Sequence, residues 1–142
     1  MQLRSYRELT VWQRAMGVVE ELYALSSTFP DSERFSLTQQ MRRTAVSIPS
    51  NIAEGNARRS TKDYARFVSI AIGSLAELET QVEIAARIGY LNNAHASNLL
   101  SELDEIGRML RAIETKLRGY VRDVSAADAP LVTRPSSLAP RP

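Results

Sequence analysis

Gln40-Met41-Arg42-Arg43-Thr44-Ala45-Val46-Ser47-Ile48-Pro49-Ser50-Asn51-Ile52-Ala53-Glu54-Gly55 is the stretch on which the fold turns. With Leu37 before it, the series Met41, Thr44, Ile48, Ile52 advances by steps of four and three, the period of a helix with one buried face. Pro49 stands inside that series. It has no amide proton and crowds the carbonyl of Ala45, a cost of about 3 kcal/mol in a free helix interior. The spacing nevertheless carries through the proline, so the stretch reads as one helix, kinked at Pro49 and stopping near Gly55. Asp31 or Ser32 is the expected N-cap of this helix, with Glu33 favourable in its first turn.

Outward from that segment the chain reads as helix on both sides. Upstream, Val11, Ala15, Val18, Leu22 and Leu25 form one stripe, and Leu9, Trp12, Met16, Val19 and Tyr23 a second beside it, over a first helix from Tyr6 or Leu9 to Ser27. Phe29-Pro30-Asp31 ends it. Downstream, Ser60 or Thr61 caps a third helix with the stripe Tyr64, Val68, Ala71, Leu75, Leu78, Val82 and Ala85, closed by Gly89. Gly73 and Ser74 put small residues in its middle. Asn92 or Asn93 opens a fourth helix with the seam Leu99, Leu103, Ile106, Leu110, Ile113, Leu117, Tyr120, Val124. Its 3.5-residue period favours packing at about 20° between helices. The expectation is all-α: an up-down-up-down antiparallel four-helix bundle over residues 1–124, followed by a disordered, Pro-rich tail over residues 125–142.

Composition narrows the chemistry. A chain of 142 residues without cysteine has no disulfide, thiolate metal site or cysteine nucleophile. No basic start followed by an apolar run marks a secretory signal, and no apolar run approaches the roughly 20 residues of a membrane span. The expected location is therefore cytoplasmic, with no membrane partner. The only histidine, His95, has no acid three residues before it, so the Glu-x-x-His pairs of di-iron bundles are missing. No phosphate-binding glycine loop, serine elbow or His-Glu-x-x-His occurs. No catalytic residue, metal or cofactor is expected, and the chain does not read as an enzyme.

Charge is uneven. The net charge is +2, yet Arg34 to Arg66 holds seven basic residues against two acids, leaving 11 basic against 14 acidic elsewhere. Arg42, Arg43, Arg58, Arg59, Lys62 and Arg66 are therefore candidates for a nucleic-acid-binding surface, the alternative being a solvated, solubilising one. A second group, Arg43, Asn51, Glu54, Ser74 and Glu77, lies beside apolar positions. It is expected as a polar cluster whose hydrogen bonds set helix register within the bundle or between subunits. Glu79 and Glu83, four apart, read as a solvated face.

The motifs together resemble a family. Tyr6-Arg7-Glu8-Leu9-x-Val11-Trp12-Gln13-x-Ala15, the run from Gln40 to Gly55, Ile70-Ala71-x-Gly73-Ser74-Leu75-x-Glu77-Leu78-Glu79-Thr80-Gln81 and Gly89-Tyr90-Leu91 are similar to the bacterial four-helix bundle proteins of 23S ribosomal RNA intervening sequences. That family includes the accessory variability determinant of diversity-generating retroelements. The resemblance spans roughly Tyr6 to Leu117. It implies a ring-shaped homopentamer and association with RNA or DNA, with a reverse transcriptase or the ribosome as a possible protein partner. The expected function is a non-enzymatic, oligomeric bundle associating with nucleic acid or a nucleoprotein. The alternative is a protein-interaction scaffold without nucleic-acid binding.

Overall fold

The computed structural model describes residues 5–127, and within them the chain is four helices without a strand. Helix α1 spans Thr10–Ser26, α2 Leu37–Ala57, α3 Thr61–Arg87 and α4 Asn93–Ala127, each packed against its sequence neighbour, with α1 also against α4. This is the antiparallel four-helix bundle that the apolar spacing predicts. The expected tail begins later than its sequence suggests, because Ser125–Ala127 continue α4; residues 128–142 lie outside the described part.

The caps show where local chemistry governs. Ser60 Oγ accepts the Asp63 amide at 3.2 Å and starts α3, and Asn92 Oδ1 accepts the His95 amide at 2.7 Å and starts α4. Gly89, at φ 86°, ends α3: its amide donates to the Ala86 carbonyl at 3.2 Å and that of Tyr90 to the Ala85 carbonyl at 2.9 Å, closing the last turn. Asp31 does not cap α2. Asp31–Glu33 form a separate 3-10 turn, and α2 begins only at Leu37, after Ser36, whose hydroxyl makes no cap bond. Helix α1 begins at Thr10, and Leu9 precedes it in extended geometry without a side-chain cap.

Helix α2 runs unbroken through Pro49, which is itself buried. The core is the set of stripes read from the sequence: Leu22, Met41, Leu78, Leu99, Leu103, Ile106 and Leu110 have no exposed surface, and Ile48, Ile52 and Leu75 retain 1%. The seam of α4 fails at its end, where Tyr120 is 59% and Val124 41% exposed. Arg14 explains this. It binds Glu102 at 2.7 Å and approaches Glu105 at 3.9 Å, so the second turn of α1 already lies beside the first half of α4. At about 1.5 Å per residue, the last third of α4 runs past the start of α1.

Two apolar surfaces stay uncovered. One is a groove of about 310 Å³ between α1 and α2, lined by Trp12, Met16, Val19, Val46 and Ala53 among others. The other is a stripe that follows α3, where Ile70 and Ile84, with Ile88 just past its end, are 42–52% exposed and Glu77 and Gln81 stand between them. Gly73 lies on the same stripe, with nothing within 4 Å of the position its Cβ would take.

Candidate nucleic-acid interface

The fold divides the six basic candidates. The Arg42 Nε donates to Ser26 Oγ at 2.9 Å and its Nη2 to the Tyr23 carbonyl at 3.3 Å, while its guanidinium lies 4.6 Å over the Tyr23 ring. These bonds tie Arg42 to the C-terminal end of α1. Arg58 lies at the other end of α2, about 24 Å along the helix. The single six-residue surface is thus corrected to two sites. Adjacency in sequence does not survive because α2 carries Arg42 and Arg43 away from the α2–α3 corner.

That corner gathers Arg58, Arg59, Lys62 and Arg66, all exposed. Arg58 pairs with Glu54 at 2.9 Å, one turn back on α2, and both partners are about half exposed, so salt screens the pair. Arg58 and Arg66 place their guanidinium groups 5.0 and 4.7 Å over the ring of Phe67, which is 7% exposed. One buried ring thus carries two cations at the surface. Among the described residues, Arg59, Lys62 and Arg66 have no carboxylate within ion-pair distance.

Helix α4 brings cations to the same end that sequence proximity could not reveal. Lys62 and Ala65, from the first turns of α3, form a groove of about 460 Å³ with Thr115, Arg118, Val121 and Arg122. Arg118 has a long contact to Glu114, 3.5 Å, and Arg122 has no carboxylate partner among the described residues. The signal was available only as the antiparallel pairing of α3 with α4.

The expected polar cluster does not assemble within the chain. Asn51 Nδ2 donates to the Ser47 carbonyl of its own helix at 2.7 Å, Glu54 holds Arg58, and Glu77 Oε1 accepts from Gln81 Nε2 at 3.3 Å. Among the described residues no hydrogen bond or ion pair joins any two of Arg43, Asn51, Glu54, Ser74 and Glu77. The register explains it. Gly55 packs against Tyr64 and Phe67, so Asn51 and Glu54 lie near the α2–α3 turn. Ser74 and Glu77 stand about 10 Å and 15 Å along α3 from Phe67, past the level of Glu54.

Two polar residues of α3, Gln81 and Glu79, are more enclosed than their place in the sequence suggests. Gln81 is 6% exposed, and its Oε1 has no partner among the described residues. Glu79, expected on a solvated face, is half-buried, and that burial pushes its carboxyl above the usual range; Arg111 opposes the rise, and Asp104 and Glu83 add to it. Neither belongs to a metal site, since no group of three or more His, Asp or Glu comes together among the described residues. Nor is any described helix long and apolar enough to cross a membrane.

A four-helix bundle with a cationic end is the class that fold and site define. Residues 7–112 match the model of the family described as 23S rRNA-intervening sequence protein, and the chain belongs to that family. Among solved structures it is similar to a protein of unknown function from the S23 ribosomal protein family of Bacteroides thetaiotaomicron. The TM-score is 0.69 and the identity 22%, over 74% of this chain and 98% of that one. At that identity the likeness concerns the fold. No curated protein matches the chain.

Proposed function

We propose that this protein is a non-enzymatic, oligomeric helical bundle that associates in the cytoplasm with nucleic acid or a nucleoprotein through its α2–α3 corner. The observation that carries the reading is the corner itself. Four exposed cations converge there, two of them held over one buried ring, and only Arg58 has a carboxylate partner among the described residues. Arginines of this kind suit bidentate phosphate contacts. The family's description refers to 23S rRNA, in keeping with an RNA partner.

The assembly reading rests on the two uncovered apolar surfaces. They are unlike each other and lie on different helices, so one copy's α3 stripe seats on another's α1–α2 groove in a heterologous contact. Contacts of that type generate closed rings when the rotation permits. A homopentamer is one such ring. The same surfaces favour the second reading, a scaffold that binds protein alone.

A titration with structured RNA and duplex DNA across salt, on protein of measured mass, tests both. Affinity should fall steeply with salt, by about 0.9 logarithmic units per tenfold change for each duplex phosphate contacted. The Arg58→Glu/Arg59→Glu variant should abolish binding. Unchanged binding in that variant overturns the corner, absence of binding at low salt overturns the function, and a monomeric mass overturns the ring.

A further inference from the structure

We infer that the groove between the start of α3 and the end of α4 is a seat for an unpaired nucleotide, extending the proposed corner from phosphate attraction to discrimination of single-stranded from duplex nucleic acid. The inference rests on the nucleic-acid reading and adds a second site to it. Its walls are of two kinds. Lys62, Arg118 and Arg122 are exposed cations on the rim, while Ala65, 2% exposed, and half-buried Val121 give an apolar floor. The volume, about 460 Å³, falls in the range of roughly 300–1,000 Å³ for small-ligand sites.

The charge selects the occupant. Three cations from two helices face one cleft, and among the described residues the single carboxylate bound to any of them is Glu114, 3.5 Å from Arg118. Asp63 and Asp123 are the other acids close by in sequence, and neither lines the groove. The start of α3 adds the positive end of a helix dipole beside Lys62. A partner must therefore be anionic at the rim and flat and apolar within. A nucleotide is both, its phosphates at the arginines and its base against Val121. A paired base stays in its stack and does not reach the floor, so the groove favours unpaired strands.

Fluorescence anisotropy with a short labelled oligouridylate and a duplex of equal length, at low salt, tests this. Arg118→Glu/Arg122→Glu should weaken oligouridylate binding about 10- to 100-fold, because it removes and reverses phosphate contacts. Val121→Gln leaves every charge in place and should weaken the single strand about three- to tenfold while leaving the duplex unchanged. Thermal melts confirm that the variants fold. Equal effects on strand and duplex, or none on either, overturn the groove, and the corner then stands if Arg58→Glu/Arg59→Glu still abolishes binding. If the unaltered protein binds neither probe, both readings fall together.

Discussion

A Cβ on Gly55 would lie 2.7 Å from the Cβ of Phe67, closer than real side chains approach, and 3.3 Å from the backbone oxygen of Tyr64. The end of α2 thus touches α3 nearly backbone to backbone, and the same Phe67 carries Arg58 and Arg66 over its ring. Gly55→Ala gains up to about 1 kcal/mol of helix propensity but forces the two helices apart. The expected net loss is about 1–3 kcal/mol, read as a lower denaturant midpoint at unchanged slope. A midpoint at or above that of the unaltered protein would show that α2 and α3 separate freely.

Gly73 is the opposite case. Its missing Cβ meets nothing within 4 Å in the single chain, so Gly73→Leu should leave the isolated fold intact. If the α3 stripe seats a neighbouring copy, the same substitution breaks the assembly. Sedimentation should then give a smaller particle with an unchanged helical spectrum. Retention of the full assembly would move the subunit contact elsewhere.

Glu102 and Arg14 share two hydrogen bonds, at 2.7 and 2.9 Å, and the Arg14 bond holds the Glu102 carboxyl below its ordinary range while partial burial opposes it. A depressed folded-state pKa contributes stability above the unfolded value that is lost as pH falls through the folded one. Glu102→Gln should lower the thermal midpoint at neutral pH. The difference should shrink as pH falls below the ordinary carboxylate range and close only once the depressed Glu102 carboxyl of the folded protein protonates. A difference that persists in acid would assign the loss to shape and not to charge.

Glu79 should respond with the reverse sign. Burial raises its carboxyl, so the folded chain binds that proton more tightly than the unfolded chain does. Its ionised form opposes folding at neutral pH, and the opposition disappears as pH falls below the ordinary carboxylate range. Glu79→Gln should raise the thermal midpoint at pH 7 and leave it unchanged near pH 4. A lowered midpoint at pH 7 would show that attraction to Arg111 outweighs desolvation.

What the sequence made legible was what repeats. The stripes through Met41, Val68 and Leu103 are buried as their spacing requires, because a helical period depends only on neighbours three and four residues away. Pro49 did not break its helix, since that spacing continues on both sides. The site was less legible because it depends on helix register. Arg42 and Arg58 are close in sequence and belong to opposite ends of α2, whereas Lys62 and Arg122 are far apart in sequence and share one groove. The exposure of Tyr120 likewise follows from the Arg14–Glu102 pairing, which no periodicity within α4 announces.

That pairing has a kinetic side. Arg14 and Glu102 are separated by 88 residues, whereas α2 and α3 join through the short link between Ala57 and Thr61. Loop closure grows as (3/2)RT ln n, so bringing α1 against α4 costs roughly 2 kcal/mol more entropy than closing a hairpin. The α2–α3 hairpin, in which Gly55 meets Phe67, is thus a local contact with low closure cost, and the α1–α4 contact is the long-range one. Released α1 would expose Val11, Ala15, Val18 and Leu22, which the bundle buries, making the first helix one whose detachment uncovers sticky apolar surface.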